Sequence, residues 1–459
     1  MKYCALPSLL LLALAGCAVP PSADSPAVKG VQQAWVQAVD GPAWAVRALT
    51  ADATCPVLRW PGGSAAMQQR AAPAELPAPG GNAEPQSKPS RFTLAACEAP
   101  WPALPAGVDR VDVGGIALRA PAAAARRIVV IGDTGCRLKA SGAAYQGCND
   151  PLDWPFLRVL ERARELQPDL VIHVGDYHYR ESPCPAGMAV CAGSPWGYGD
   201  DTWQADFFRP AKALLATAPW VFVRGNHEAC SRAGQGWLRY LDAAAGPART
   251  CTPAAAGDVS DGDFTPPFTV PLSTQSQLIV FDSSEVGSRT PARGSPAWTR
   301  WRAQFDRVAE LADLTTQSLF VSHHPSLAFS PTADGAPETV RSGLTPLLQD
   351  AEPRRLFPAS VEATLHGHIH MHQALGFASN HPATLVIGNG GSAASGHVDN
   401  AAALKFRLLP GAVLETVQTH TAFGLTLLTS TPQGWELKAF NTLGQPLATC
   451  TLAGQTLRC

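Results

Sequence analysis

The stretch that decides the fold is residues 170–180, Leu-Val-Ile-His-Val-Gly-Asp-Tyr-His-Tyr-Arg, where an apolar run ends in Gly175-Asp176 and a series of polar and aromatic side chains. A short, continuous apolar run predicts a strand that is buried on both faces. In open α/β sheets, ligands bind beyond the carboxyl ends of such strands. We therefore expect Asp176 to lie at a functional edge of a sheet.

The same pattern occurs six times along the chain. Besides the run at 170–174, the run at 128–131 ends in Gly132-Asp133, the run at 220–223 in Arg224-Gly225-Asn226-His227, and the run at 277–281 in Asp282. The run at 318–321 ends in Ser322-His323-His324, and the run at 363–365 ends in His366-Gly367-His368. Helical spacing at residues 154–167 separates the first two strands of the chain. This alternation predicts an α/β fold with its site at the strand ends. Carboxylate, amide and imidazole donors in this number can hold two metal ions that share one carboxylate.

Five of these clusters resemble, in order, the motifs of the calcineurin-like metallophosphoesterase superfamily. They are Gly132-Asp133-Thr134-Gly135, Gly175-Asp176-Tyr177-His178-Tyr179, Gly225-Asn226-His227-Glu228, His323-His324-Pro325 and Gly367-His368-Ile369-His370. The resemblance implies a four-layer α/β/β/α sandwich. Most of the superfamily has a metal-binding His where this chain has Gly135. A Tyr three residues after Asp176 resembles instead the purple acid phosphatase branch, in which that Tyr binds the first metal as a phenolate.

The resemblance also implies which residues bind metal. The first ion would take Asp133, Asp176, Tyr179 and His370, and the second would take Asp176, Asn226, His368 and one His of the 323/324 pair. The family pattern His-x-Pro favours His323 as the ligand and His324 as a pocket residue, whereas the position of Val321 favours His324. Fe(III) is expected at the first position, with Zn, Fe(II) or Mn at the second. His227 is the expected general acid, with His324 as its helper.

Other side chains near the motifs have simpler predicted roles. His173 lies inside an apolar strand and is expected to be a hydrogen-bonded core residue. We expect His366 to support the ligands and His372 to be solvated. The loop from Glu181 to Trp203 carries Trp196 and Tyr198 and has two interpretations, a wall that selects aromatic or nucleotide leaving groups, or ordinary packing.

The N-terminus predicts export. An apolar stretch from Leu6 to Leu14 is too short to span a bilayer and ends in Leu14-Ala15-Gly16-Cys17, which resembles the lipobox of bacterial lipoproteins. We expect residues 1–17 to act as the signal peptide and Cys17 to be the lipidated first residue of a protein on the periplasmic side of the cell envelope. The alternative is ordinary secretion with cleavage after Ala15. With 35 basic and 37 acidic residues, the chain has no electrostatic footprint for nucleic acid.

Cysteine parity supports the lipoprotein interpretation. Twelve cysteines, less Cys4 in the signal peptide and a lipidated Cys17, leave ten. Ten thiols in an exported chain are expected to be oxidised. The simplest pairing is sequential: Cys55–Cys97, Cys136–Cys148, Cys184–Cys191, Cys230–Cys251 and Cys450–Cys459.

The expected domain organisation follows from these features. Residues 18–34 are predicted to be a tether, 35–125 a β-rich N-terminal domain resembling a small β-sandwich, and 126–459 the catalytic domain, which ends in a β-hairpin closed by Cys450 and Cys459. Short strands separated by Pro and Gly turns indicate the β-rich character of the N-terminal part.

The expected function is dinuclear-metal-dependent hydrolysis of phosphate monoesters, of the acid phosphatase type, on small-molecule substrates in the cell envelope. A phosphodiesterase or a lipid head-group hydrolase on the same centre is an alternative. A different alternative is a catalytically silent lipoprotein whose N-terminal domain binds cell-wall or protein partners. The chain retains every expected ligand, which favours the enzyme.

Overall fold

The computed structural model describes Met1 and residues 30–41, 43–80, 84, 86–251, 262–287, 289–340 and 342–459. The expected lipobox with Cys17, and the expected tether up to residue 29, lie outside these residues. No helix in the described ranges has the length and apolar character needed to cross a membrane.

The N-terminal region consists of strands, as expected. They are β1 (Val31–Val39), β2 (Ala43–Thr50), β3 (Val57–Trp60), β4 (Gly63–Ala66), β5 (Gln68–Ala71), β6 (Ala74–Leu76), β7 (Ser90–Phe92), β8 (Ala95–Pro100), β9 (Arg110–Val113) and β10 (Ile116–Arg119). Because β1 begins at Val31, the prediction of a tether extending to residue 34 is wrong at its last residues.

The next part of the chain alternates strands and helices. Its strands are β11 (Arg127–Ile131), β12 (Leu138–Lys139), β13 (Ala144–Tyr145), β14 (Leu170–His173) and β15 (Trp220–Phe222). Its helices are α1 (Phe156–Glu165), α2 (Asp200–Trp203), α3 (Arg209–Thr217) and α4 (Gly234–Tyr240), with a π-helical turn at Gln204–Phe208 and a 3₁₀ turn at Asn226–Glu228. Helix α1 is the predicted one, and it buries Phe156, Val159, Leu160 and Ala163, which share one face.

The last part adds a second sheet and returns to the first. Its strands are β16 (Phe268–Pro271), β17 (Ser276–Val280), β18 (Gln317–Val321), β19 (Phe329–Pro331), β20 (Pro337–Thr339), β21 (Val361–His366), β22 (His372–Phe377), β23 (Ala383–Ile387), β24 (Leu414–His420), β25 (Gly424–Thr431), β26 (Gly434–Asn441), β27 (Pro446–Ala453) and β28 (Thr456–Arg458). Its helices are α5 (Pro296–Ala312), α6 (Leu344–Ala351) and α7 (Asn400–Lys405).

Two large sheets form the inner layers of a four-layer α/β/β/α sandwich. The first has the order β28-β27-β26-β25-β11-β14-β15-β1-β2-β8-β5, and the second has the order β16-β17-β18-β21-β23-β22-β24. Side chains alternate between the two faces of each strand. Ile128 and Val130 therefore face Leu319 and Leu365 between the sheets, while the opposite faces pack against α1 and α3 on one side and α5 and α6 on the other.

The predicted N-terminal sandwich shares a sheet with the catalytic region. A four-stranded sheet, β10-β9-β3-β4, packs on the strands β1, β2 and β8. These strands continue the first large sheet, since β1 pairs in parallel with β15 through Gln37 and Trp220. The fully buried Arg47 of β2 donates hydrogen bonds to Glu98 and to the carbonyl of Tyr240, which joins the two regions further.

Five disulfides are present among the described residues, and all have the sequential pairing that was expected: Cys55–Cys97, Cys136–Cys148, Cys184–Cys191, Cys230–Cys251 and Cys450–Cys459. The last one closes the predicted C-terminal hairpin of β27 and β28. Five disulfides indicate that the folded protein resides in an oxidising compartment.

Candidate metal centre

The site is formed where strands of both sheets end. Asp133 follows β11, Asp176 follows β14 and His368 follows β21. These three residues have left-handed backbone conformations, with φ of 55°, 58° and 71°. Such conformations cost free energy for residues other than glycine and cluster at functional sites, where the surrounding structure holds them. The three turns bring their side chains to one point.

One set of donors surrounds the hydroxyl of Tyr179. This oxygen lies 2.8 Å from Oδ2 of Asp176, 2.8 Å from Nε2 of His370 and 3.1 Å from Oδ1 of Asp133. All four residues are buried. The structure thus brings together the four residues that the resemblance assigns to the first metal.

A second set shares Asp176 with the first. Nε2 of His323 lies 3.2 Å from Oδ2 of Asp176 and 3.1 Å from Oδ1 of Asn226, and Nδ1 of His368 lies 3.0 Å from the same Asn226 oxygen. His324 contacts Ser283 instead, through Nδ1 at 3.1 Å. The geometry therefore selects His323 over His324 as the member of this set.

Carbonyl oxygens orient two of the imidazoles. Nδ1 of His323 lies 2.9 Å from the carbonyl of Val174, and Nδ1 of His370 lies 2.7 Å from the carbonyl of Ala393. A carbonyl only accepts, so each Nδ1 carries a proton and each Nε2 faces the cluster, where it can bind a cation once it is deprotonated. This arrangement is typical of metal-binding histidines.

The spacing of these donors fits metal ions. Donors about 2.1 Å from one octahedral cation stand about 3 Å from each other. The separations within the first set are 2.8, 2.8 and 3.1 Å, with 3.3 Å between His370 and Asp133. Carboxylate, phenol and imidazole donors suit a hard ion at the first position, and amide and imidazole donors suit a divalent ion at the second.

Burial and charge change the proton affinities of the cluster. Burial and the carboxylates of Asp176 and Asp133 raise the pKa of Tyr179 well above 10, so without a cation its hydroxyl keeps its proton and donates. Although burial opposes it, the charge of Asp176 raises the pKa of His323 to about 9. A bound cation reverses both effects, because it favours the phenolate and the neutral imidazole.

Two buried carboxylates position the motif loops, and sequence analysis did not identify their role. Glu228 accepts hydrogen bonds from the backbone N–H groups of residues 176, 177, 178 and 225. Asp206, in the π-helical turn, accepts from the N–H groups of Cys136 and Tyr179. The signal for Glu228 was its place in the third motif, whereas nothing in the sequence around Asp206 marks it.

Gly135 has a structural reason to lack a side chain. A Cβ at this position would lie 2.6 Å from the carbonyl oxygen of Tyr177 and 2.8 Å from the nitrogen of Tyr179. The backbone that delivers Tyr179 therefore occupies the space that a larger residue would need. The lack of a His at position 135 in the first motif and the presence of Tyr179 in the second motif therefore belong to the same local packing arrangement.

Three cations near the cluster were also missed. Nη2 of Arg137 lies 3.3 Å from Nε2 of His370, and its guanidinium stacks over the ring of Tyr179. Nη2 of Arg232 lies 2.7 and 2.8 Å from the two ring nitrogens of His227. Burial and the positive charge of Arg232, with smaller effects of Arg137 and Lys139, lower the pKa of His227 well below its usual value. The general-acid role of His227 stays a prediction.

Several expectations about neighbouring residues are decided by burial. His173 is a core residue, with Nε2 2.9 Å from the hydroxyl of Thr134. His372 is buried and not solvated: β22 lies between β23 and β24, and Nδ1 of His372 lies 3.5 Å from the hydroxyl of Thr426 in β25 of the first sheet. Tyr198 and Trp203 are fully buried, which favours the packing interpretation for the loop before α2.

The fold and the convergence of these donors define a metal-dependent phosphoesterase. The family model of the calcineurin-like phosphoesterases matches residues 126–372, and the chain belongs to this family. Membership implies a dinuclear metal centre and a phosphoester substrate. No curated protein sequence matches the chain significantly.

Solved structures are similar to this chain at low sequence identity. The purple acid phosphatase PPD1 from seeds of yellow lupin (Lupinus luteus) is similar with a TM-score of 0.55 and 13% identity, over 92% of this chain and 74% of the lupin chain. A structure of PhoD is similar with a TM-score of 0.49 and 12% identity, over 96% of this chain and 93% of the other. GAP50 of Plasmodium has a TM-score of 0.41 and 14% identity, over 72% and 90% of the two chains.

Proposed function

We propose that the protein hydrolyses phosphate monoesters of the acid phosphatase type at a dinuclear metal centre. The observation that carries this proposal is the arrangement around the shared carboxylate of Asp176. The Tyr179 hydroxyl lies 2.8 Å from one of its oxygens, and Nε2 of His323 lies 3.2 Å from that same oxygen. Two donor sets that meet at one carboxylate suit a pair of ions, of which the first would be Fe(III) and the second Zn, Fe(II) or Mn.

The residues would divide the work as follows. One ion would be held by Asp133, Tyr179 and His370, and the other ion by Asn226, His323 and His368. Asp176 would bind both ions. Two bound cations would supply an activated water and neutralise the charge on the phosphate oxygens. The protein's own contribution is a fixed geometry, since strained turns and buried carboxylates hold the donors in place before a substrate arrives.

His227 is proposed to contact the leaving oxygen of the substrate, with Arg232 beside it. The backbone N–H of His227 donates to Oδ1 of Asp176, which fixes the residue beside the cluster. Glu181 accepts from Nε of Arg232 at 2.6 Å and thereby orients its guanidinium. In this arrangement a phosphate dianion at the donor sets would raise the pKa of His227, which would allow His227 to donate a proton to the leaving oxygen.

The test combines metal analysis with two substrates. The purified protein should contain close to two metal ions per chain, including iron, and should hydrolyse p-nitrophenyl phosphate much faster than bis-p-nitrophenyl phosphate at acidic pH. A strong preference for the diester would favour the phosphodiesterase alternative. A protein that binds metal but hydrolyses neither ester would favour the silent alternative.

We propose further that Cys17 is lipidated and anchors the protein on the periplasmic side of the bacterial cell envelope. The support is the sequence Leu14-Ala15-Gly16-Cys17 together with the five disulfides, which account for ten of the eleven cysteines after Cys4. Two or more acyl chains give stable anchoring. Replacing Cys17 by Ser should therefore move the protein from the detergent phase to the aqueous phase in Triton X-114 partition, and unchanged partition would contradict the anchor.

A further inference from the structure

The hairpin of β12 and β13 holds two basic side chains beside the centre. Side chains at alternate positions of a strand share one face, so Arg137 and Lys139 lie on one face and the buried Leu138 on the other. Arg137 reaches the first donor set, where it contacts His370. Lys139 lines a cavity of about 410 Å³ next to the second set, of which Asn226 and His368 form part of the wall.

The backbone around Lys139 is fixed on several sides. The disulfide between Cys136 and Cys148 closes the loop that contains the hairpin. The N–H of Leu138 donates to the carbonyl of Tyr179, and its own carbonyl accepts from the N–H of Glu181 and of Ser182. Because the strand that carries Lys139 is bonded directly to the loop that carries Tyr179, Lys139 has a defined position relative to the metal ligands.

The ammonium group of Lys139 is available for a ligand. It makes no hydrogen bond or ion pair to any residue that the structure describes, although Glu84 lies close enough to interact electrostatically. The oxygens of Glu84 are already occupied by Ser141 and Ser182. A half-buried lysine that makes no hydrogen bond or ion pair within the described ranges, beside a cavity, can bind an anion.

Arg232 faces the same cavity. Its guanidinium is held by Glu181 and lies beside His227, where the proposed reaction would release the leaving group. The acidic residue that lines this cavity within the described ranges is Glu285, which is exposed and accepts a hydrogen bond from the N–H of Cys230. Two cations therefore stand on the leaving-group side of the centre, outside the metal-ligand sets, and the guanidinium of Arg232 is held in place by Glu181.

We propose that Lys139 and Arg232 form a second anion subsite, and that the preferred substrates are phosphate monoesters whose leaving group carries a second phosphate. This inference rests on the proposed phosphatase function and names its substrate class. In such a substrate, one phosphate would lie at the donor sets while the other accepts hydrogen bonds from Lys139 and Arg232. The hydrogen bonds are charge-assisted, so they discriminate strongly against a neutral leaving group.

Three matched esters test the subsite: propyl phosphate, 3-aminopropyl phosphate and propane-1,3-diol bisphosphate. We expect kcat/KM of the wild-type protein for the bisphosphate to exceed that for propyl phosphate by about tenfold or more. The substitution Lys139→Met, which keeps most of the side chain and removes its charge, should abolish most of this preference. The control Lys212→Met, on the exposed face of α3, should leave the ratio unchanged.

A binding experiment separates this inference from the proposed function. Propane-1,3-bisphosphonate and propylphosphonate are not hydrolysed, and calorimetry on the metal-loaded protein should give the same tenfold preference, reduced in Lys139→Met. If the protein hydrolyses no ester but keeps this preference, the subsite stands and the phosphatase function fails. If it hydrolyses the propyl ester and the bisphosphate equally, or binds the two phosphonates equally, the subsite is refuted. Preference for the aminopropyl ester would indicate that Glu285 sets the charge preference of the cavity, and this result would also refute the proposed anion subsite.

Discussion

Replacing Tyr179 by Phe removes one oxygen from the centre of the first donor set. In the metal-free protein the hydroxyl donates to Asp176 at 2.8 Å, and loss of a hydrogen bond to a buried carboxylate costs about 1.5–3 kcal/mol. In the metal-loaded protein the substitution should cost more, because it also removes a metal ligand. Removing groups that only orient a ligand weakens metal binding by about 10–100-fold, so removal of a ligand should exceed about 100-fold at this position.

The assay follows colour and metal content together. A phenolate bound to Fe(III) donates charge to the metal and should give the wild type a violet band, and Tyr179→Phe should lose both the band and most of its iron. The control is Tyr177→Phe, because within the described ranges the Tyr177 hydroxyl donates to the carbonyls of His173 and Val223 and to no other group. That variant should keep its colour. A Tyr179→Phe protein that keeps its band, or a colourless, iron-free and fully active wild type, would refute the assignment.

Three further outcomes are expected. Gly135→Ala should lower the free energy of unfolding by about 1–3 kcal/mol in urea titrations, because the added Cβ would lie 2.6 and 2.8 Å from backbone atoms. The control Gly80→Ala, where no atom lies within 4 Å of the added Cβ, should leave the free energy of unfolding unchanged. Equal stabilities of the two variants would contradict the packing argument. His227→Ala should slow hydrolysis of an alkyl phosphate by roughly 10²–10⁴-fold but that of p-nitrophenyl phosphate much less, and equal losses would exclude the acid role. In chelator-treated protein, His323 has a pKa of about 9 against about 6.5 when unfolded, so its contribution to stability is complete below pH 6.5 and is lost as pH rises through 9. Tm should therefore fall over this range, and less so in His323→Gln; an unchanged slope would show that other groups are responsible.

Local patterns predicted the elements that carry the site. The apolar runs before Asp133, Asp176 and His323 became β11, β14 and β18 within one or two residues of the expected bounds. These strands are short, continuous and bounded by glycine or polar residues, so local sequence contains most of the information that places them. His372 was misplaced because alternation along a strand indicates which side chains share a face, but not whether another layer covers that face.

Contacts between distant parts of the chain were beyond local patterns. Asp206 binds the N–H of Cys136 across a separation of 70 residues, and Arg232 binds Glu181 across a separation of 51. Similarly, the pairing of β1 with β15, which joins the N-terminal strands to the catalytic sheet, links residues 37 and 220.

The sequence by itself indicated the α/β class and the family, because both depend on residue types at short spacing, and it predicted the sequential disulfides and the donor residues. The tertiary structure decided which His of the 323/324 pair faces Asp176, why Gly135 must be small and which cations surround the centre. These depend on the approach of side chains from strands and loops far apart in the chain, and their distances are set by the packing of two sheets against each other.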